Sequence, residues 1–582
     1  MIETTSSTLP PTTGKNTASP SLPDISPSEM QKIQQRYAEE RDKRQRARFK
    51  VVILGAGFGG LLFAVRLLQT GCFRPEEIVL VDVAASFGGT WYWNRYPGLM
   101  CDIESYIYLP LLEETGYIPK RKYASGEEIR EHAQRIAAHW SLEDRAMWRT
   151  EVNRCSWSDE AAEWSLDMTQ SPPPLNNDGT KGESLSATVH ADFVILAPGP
   201  LNIPKVSDFA GFDSFQGSRF LASRPETPVL SRLGGKRVGI IGTGATGIQI
   251  VPELAKWCQQ LYVFQRTPAQ IGVRDQRSTD LGEWTKNVAT GPGWQMVRFR
   301  NFVSFTCDTQ PPPPVDLVAD GWTSFRSLQV LGGGGSPIIH DRTVAEQLKA
   351  WYPSWCKRPC FHDEYLPTFN QPHVRLVDTN GKGVQAITPT GVVANGEQFD
   401  VDVLILAMGY DVKPLESPGA RAKVSVFGRA GRSMNEKWVQ SPLTLHGVAT
   451  SGFPNMFFSG VGQTSYFPSY TATLDTCAKH VAFVISEVIK RQGSGKMTIE
   501  VTQGAETAWG LRVQAGAPAL AALAGCTPSY LNAEGSLEDV SMEERMKLAA
   551  SARWPHGMAD WMDVLEEWRD AGDLAGLQIS VV

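Results

Sequence analysis

The sequence predicts an α/β fold made of two parallel-sheet units of the Rossmann-like type, with a helical region beside them. Three observations predict it. The pattern G-x-G-x-x-G occurs twice, as Gly55-Ala-Gly57-Phe-Gly-Gly60 and as Gly242-Thr243-Gly244-Ala245-Thr246-Gly247. Each copy follows a short apolar run and opens a segment of helical period. A second apolar run comes after each, so strand, glycine turn, helix and strand make one βαβ unit.

The elements follow in order. Residues 1–29 are rich in Ser, Thr and Pro without an apolar core segment, which predicts a disordered tail and no secretory signal. Met30 to Lys50 is charged and helix-prone and reads as a solvated helix; a basic membrane-surface helix is the alternative, weakened by its interleaved acidic residues. Val51 to Leu54 is the first strand, a helix runs through Leu68, and Ile78 to Val81 is a strand closed by Asp82. Glu127 to Trp140 reads as a helix. Residues 148–196 alternate like antiparallel strands around the loop 170–184, ending in the strand Phe193 to Leu196. The second unit runs from Arg237 to Ile241 through its helix to Leu261–Phe264.

Residues 275–350 have no clean period between their PPPP and GGGG runs and are expected to be an insertion or substrate-side cap. Short strands return from His373 to Leu406, the last leading into Met408-Gly409. A strand at Met456–Ser459, a helix from Thr471 to Arg491 and a mostly helical end over 504–582 complete the chain. The expected division is 30–215 for the first unit, 216–395 for the second with the insertion, and 396–582 completing the first.

A chain of 582 residues is too long for one core. A net charge of −6 argues against a nucleic-acid surface, although a local basic pocket can still hold a phosphate. The 9 cysteines are scattered and odd in number, which predicts reduced thiols in an intracellular, cytoplasmic setting. No apolar run is long enough to span a bilayer. The motifs H-E-x-x-H, paired C-x-x-C and G-x-S-x-G are missing, so neither a metal site nor a serine hydrolase is expected. No feature sets an oligomeric state.

The glycine motifs carry specific chemistry. Gly55 permits the tight turn, Gly57 lets the backbone approach a pyrophosphate, and Gly60 lets helix and strand pack closely. The phosphates then meet free N–H groups at the positive helix end. Asp82 is placed to accept from a ribose hydroxyl, as FAD or NAD requires. In the second unit the corresponding strand ends in Gln265-Arg266-Thr267. An arginine there suits the 2′-phosphate of NADP, which an acid would repel. Two cradles, one of them basic, imply a flavin reduced by NADPH.

Between the motifs lies Gly88-Gly-Thr-Trp-Tyr-Trp-Asn-Arg-Tyr-Pro-Gly98, then Cys101-Asp102-Ile-Glu-Ser105. These segments resemble the Baeyer–Villiger monooxygenases, and the resemblance continues through GTGATG, QRTP, Cys356-Lys357-Arg358 and CTPSYLNAEG, spanning roughly 45 to 570. It implies oxygenation of a bulky organic substrate by O₂, with ketone-to-ester or lactone insertion first and secondary metabolism as the setting. Thr90, Trp91, Asp102 and Tyr108 match positions that line FAD, and Tyr92, Trp93 and Ile103 join them as candidates. Gly242 to Gly247, Gln249, Arg266, Thr267 and Lys357 are the NADP candidates. Arg358 matches the arginine that stabilises the flavin peroxide anion and holds the nicotinamide, and Asp102 would orient it.

The family's F-x-G-x-x-x-H-T-x-x-W linker is altered: Leu221, Ala222 and Pro225 stand at the His, Thr and Trp positions after Phe215-Gln-Gly217. Hydroxylation, epoxidation, heteroatom oxidation or a non-oxygenating FAD/NADPH protein are the alternatives. A disulfide reductase using Cys356-x-x-x-Cys360 is disfavoured by that spacing and by Pro359.

Overall fold

A computed structural model describes residues 48–581 apart from 173–181, 207, 225–229, 308–310, 325–337, 353–355, 414, 461, 466–467, 494, 516–525, 530–534 and 536–540. The expected N-terminal tail, most of the helix after it, Pro225 and the GGGG run lie outside the described residues.

The first unit grows around β1 (Arg48–Leu54), which is fully apolar over its last four residues and buried there on both faces. It pairs in parallel with β2 (Ile78–Asp82) and with the C-terminal half of β6 (Leu185–Leu196). The next strand out is β3 (Ala146–Trp148), parallel to β2. The N-terminal half of β6 turns to a different partner: with β5 (Glu163–Gln170) and β4 (Thr150–Ser158) it forms the expected antiparallel ribbon. β17 (Ser425–Phe427) pairs with β4, and β18 (Met456–Phe458) lies parallel against the end of β6. α1 (Phe58–Gln69) covers this sheet and is itself covered by α5 (Tyr470–Gln492), which follows α2 (Gly126–His139), α3 (Ala245–Ala255) and α4 (Trp294–Thr306) in the chain. Arg66 and Asp475 close the α1–α5 contact with a two-pronged ion pair at 2.6 and 2.9 Å. That guanidinium holds the buried Asp475 carboxyl below its usual range, against its burial.

The second unit is a five-stranded parallel sheet in the order β12 (Val374–Asp378), β9 (Gln260–Gln265), β8 (Arg237–Ile241), β16 (Val403–Leu406), β7 (Ser218–Leu221). Here the structure corrects an expectation. The strand leading into Met408-Gly409 is expected in the first unit, yet it pairs with β8 and β7. A four-residue apolar strand carries no mark of its sheet, and the final strand of the first sheet is β18. The boundary at 396 therefore precedes a strand of the second sheet. Between β12 and β16 a small antiparallel sheet, β13 (Ala386–Thr388), β14 (Gly391–Ala394) and β15 (Glu397–Asp400), closes one side.

The two units repeat one local geometry. Gly55 has φ +113° and Gly242 φ +112°, and a Cβ on either would run into the carbonyl of Ala197 or Ala407 on the neighbouring strand's exit. Gly60 and Gly247 press against the carbonyls of Gly55 and Gly242, leaving no room for a side chain. The motif is thus built as its glycine spacing requires.

Residues 275–350 contain α4 and a π-helical turn, Trp284–Val288, while β10 (Ile271–Gly272) pairs with β11 (Cys360–Phe361) just outside them. The buried pair Arg298–Glu104, at 2.6 and 2.7 Å, ties α4 to the first unit. The C-terminal region holds α6 (Gln503–Gln514), α7 (Met542–Ala550) and α8 (Gly557–Ala571), as its helical period predicts. Its last segment differs: β20 (Leu577–Val581) pairs antiparallel with β19 (Met497–Val501), a partner far back in the sequence.

Under α5 and α8, His446 Nδ1 and His480 Nε2 stand 2.9 Å apart among the rings of Trp509 and Trp568. Burial, with Arg512 and Arg569 nearby, pushes His446 down to about 3, and burial, with His446 and Arg569 nearby, holds His480 well below its ordinary value. Burial also lowers His132 and His362 to about 4. The unfolded chain takes these protons near pH ~6.5 and the folded chain does not, so stability falls as pH drops below that value. Each such histidine costs about 1.4 kcal/mol per pH unit in that window. Melts at pH 7 and pH 5 are expected to show a lower midpoint at pH 5; equal midpoints would contradict the neutral pair.

Candidate active site

The exits of both sheets face one cavity of about 580 Å³. From the first unit, Thr90, Trp91, Asp102 and Tyr108 line it; from the second come Gly242 to Thr246, Gln249, Arg266, Thr267, Lys357 and Arg358. These residues are far apart in sequence, and the fold brings them together.

Asp102 and Arg358 meet at the centre. Arg358 Nη1 donates to Asp102 Oδ2 at 2.6 Å and Nη2 to Oδ1 at 2.5 Å, a planar fork. The side chains are 25% and 13% exposed, so the pair is sheltered but reaches the cavity. Burial pushes the Cys360 thiol up to about 12 despite the Arg358 charge, and raises Cys101 as well. A thiol shifted that way disfavours the thiolate a disulfide reductase would need from Cys360.

On the first-unit wall Trp91 Nε1 donates to the Tyr108 hydroxyl at 3.0 Å, with the rings edge-to-face at 5.7 Å. Burial raises the Tyr108 phenol, which stays neutral. Sequence reasoning misses Asn94 and Tyr410: Asn94 Nδ2 donates to the Tyr410 hydroxyl at 2.5 Å and to the Thr90 carbonyl at 2.8 Å, and both residues line the cavity. Asn94 lies inside the recognised WYWNRYPG run, whereas Tyr410 follows a strand expected in the other sheet. Gln249 works across the units, accepting from the Met100 N–H at 2.6 Å and donating to the Ala245 carbonyl at 2.8 Å.

Several candidates stand outside the cavity. Tyr92 and Trp93 stack edge-on at 5.0 Å and lie under Arg95 and Arg224, at 4.6 and 5.3 Å, because the helical turn Thr90–Trp93 turns them away from Trp91. Ile103 is wholly buried in the apolar core. Gly55, Gly57, Gly60 and Gly247 shape their turns without lining this space. Asp82 braces the first glycine loop: its carboxylate accepts from Ala56 N–H at 2.6 Å and Ala84 N–H at 2.8 Å. Burial outweighs those bonds and raises its pKa.

Both glycine loops have the features of anion cradles. α1 and α3 start without any side-chain cap, and residues Phe58 to Gly60 of the first turn are buried. Their leading N–H groups therefore suit a phosphate. Over the second loop the space is open, since a Cβ on Gly244 would meet nothing within 4 Å. Arg266 and Lys357 add positive charge there.

The segment 526–529 closes this side. Arg266 donates to the Pro528 carbonyl at 3.1 Å, Thr267 and Thr527 hydroxyls meet at 3.2 Å, and Ser529 Oγ donates to the Cys356 carbonyl at 2.6 Å. Cys356 and Cys526 form a disulfide. The expectation of reduced thiols is corrected at this pair, and the cysteine argument for a reducing compartment goes with it; the other seven cysteines are free. The two partners are 170 residues apart, and only the fold brings their Cα atoms to 5.2 Å.

The altered linker is described as far as Arg224. β7 ends at Leu221, Ala222 is buried and donates to the Leu406 carbonyl at 3.0 Å, and Arg224 reaches the Trp93 ring. No helix of the described residues is long and apolar enough to cross a membrane.

Two substitutions test the second-unit cradle. Arg266→Ala is expected to weaken NADPH binding about tenfold or more and NADH much less, a loss in the range of charge-assisted hydrogen bonds; titrations with the two nucleotides give the ratio, and an unchanged preference would move the 2′-phosphate site elsewhere. Cys526→Ser is expected to loosen residues 527–529 and raise the KM for NADPH while leaving FAD content unchanged. Identical kinetics in that variant would make the disulfide irrelevant to the nucleotide.

Residues 53–115 match the family model described as an NAD(P)-binding Rossmann-like domain. The chermesin D/asnovolin J monooxidase of Aspergillus novofumigatus is 44% identical over 94% of this chain and 90% of its own length. The polycyclic ketone monooxygenase of Thermothelomyces thermophilus is 42% identical over 92% of this chain and 88% of its own. The solved structure of a polycyclic ketone monooxygenase from that fungus superposes with a TM-score of 0.86, covering 92% of this chain and 90% of that one. An NADP-bound steroid monooxygenase, 24% identical, shares the fold with a TM-score of 0.72 over 92% of this chain and 100% of its own. With two glycine cradles, one Asp102–Arg358 fork and relatives of this identity along nearly its full length, the chain belongs to the Baeyer–Villiger family of FAD-binding monooxygenases.

Proposed function

We propose that this protein uses NADPH and O₂ to insert one oxygen atom beside the carbonyl of a bulky, fused-ring ketone, giving an ester or lactone in secondary-metabolite biosynthesis. The fork at the meeting point of the two units carries the reading: it places a permanent cation in the cavity. The second oxygen atom leaves as water, and NADPH supplies the electron pair.

The first glycine loop and the buried start of α1 would hold the FAD pyrophosphate, with Asp82 bracing that loop and Thr90, Trp91 and Tyr108 walling the ring system. FAD, when bound, carries the electrons of NADPH to O₂. Gly242 to Thr246 would hold the NADPH pyrophosphate, and Arg266, Thr267 and Lys357 its 2′-phosphate. The Arg358 guanidinium would favour negative charge developing on oxygen beside it. Asp102 fixes the plane of that guanidinium. Trp91 and Tyr108 exclude water from one side, which strengthens the electrostatics.

The oxygen-electrode experiment is direct. Purified yellow protein with NADPH is expected to consume O₂ faster when a steroid or other polycyclic ketone is added, with a product one oxygen heavier. Arg358→Ala is expected to keep its FAD and lose product formation by about a hundredfold or more, in line with the loss of an oxyanion-stabilising donor. Full product formation by that variant would sink the role of Arg358. Oxygen use indifferent to every ketone tested would favour hydroxylation or heteroatom oxidation.

A further inference from the structure

We infer that Trp322 is a positioning residue for the Asp102–Arg358 fork, an inference that rests on the role of Arg358 proposed above. Trp322 lies in the region without sequence period and touches both members of the pair. Its indole Nε1–H donates to the main-chain carbonyl of Asp102 at 2.7 Å. Its ring lies 5.1 Å from the guanidinium carbon of Arg358. One side chain thus grips the backbone of the anion and presents its π face to the cation, although the two are 256 residues apart.

The tryptophan is itself held from several directions. It is 2% exposed and packs on Phe361, ring centroids 4.8 Å apart. Its main-chain N–H donates to Asp320 Oδ1 at 2.9 Å, and Asp320 Oδ2 accepts from the Tyr123 hydroxyl at 3.0 Å. Gly321 admits the close approach, since a Cβ there would run into the Phe361 ring. A buried indole needs a partner for its N–H, and ordinary packing would supply one. Packing alone does not require that partner to be Asp102 while the ring faces Arg358. A bidentate fork tolerates little rotation out of plane, and these two contacts act on the two rotations that would open it.

Coupling separates positioning from mere packing, because residues acting through one another fail to add. The primary readout is the affinity for NADP⁺, measured by calorimetry on FAD-loaded protein. Trp322→Phe keeps a ring and loses the donor; it is expected to weaken NADP⁺ about five- to tenfold and to raise hydrogen peroxide release during NADPH oxidation, with FAD content and thermal midpoint close to the parent. Trp322→His, which retains an aromatic N–H, is expected to fall between Trp322→Phe and the parent. In an Arg358→Ala background the Trp322→Phe substitution is expected to add no further loss. Parent-like affinity in Trp322→Phe, or losses that multiply in the double variant, would overturn the inference while leaving Arg358 in place. Parent-like NADP⁺ affinity in Arg358→Ala would overturn this inference alone, whereas full product formation by that variant would remove the role of Arg358 and the inference with it.

Discussion

The ion pair between Asp102 and Arg358 is the constraint on which the site depends. Each residue belongs to a different unit, so its two short hydrogen bonds fix the relative placement of one side chain from each. Other contacts cooperate with it. Gln249 fastens the 98–101 stretch to the start of α3, and Arg224 lies on the Trp93 ring. A cavity between two sheets is useful only if its walls keep register, and here register rests on charged and amide side chains. Charges sheltered from water in this way are costly to strand, so each member favours keeping the other in place.

The same logic separates what was legible in the sequence from what was not. Both glycine cradles were legible because the demand on each residue is local. Gly55 and Gly242 adopt positive φ, and Gly60 and Gly247 leave room for a carbonyl. The buried strands β1, β2, β8 and β9 were legible as apolar runs beside those turns. The fork was legible only through the family's longer motifs, since composition and period say nothing about an isolated arginine. The sheet membership of β16 was not, because four apolar residues in a row suit either parallel core equally well. Trp322 had no local signal: its importance comes from meeting two residues that the chain supplies elsewhere. Tyr92 and Trp93, aromatic residues of the WYWNRYPG run, lie against Arg95 and Arg224 and do not line the cavity.

The altered linker illustrates how a sheet absorbs sequence change. Leu221 ends the edge strand and Ala222 continues its hydrogen bonding to Leu406, roles that any non-proline residue of modest size can fill. The strand survives because its backbone does the pairing. What a histidine and a threonine would do there with their side chains is a separate matter from the fold, and Arg224, two residues on from Ala222, gives this chain its own contact with the first unit.

The Cys356–Cys526 bond changes the connectivity of the molecule. Together with the backbone it makes a closed covalent ring out of residues 356 to 526. Inside that ring lie β16 of the second sheet, β17 and β18 of the first, and α5, which covers α1. The ring therefore threads both units, and a single backbone cut anywhere along it leaves one covalent molecule until the bond is reduced. Fragments released by a protease would separate on a reducing gel and migrate together on a non-reducing one. In an oxidised sample, then, the arginine that reaches the cavity stays covalently joined to the segment that closes it.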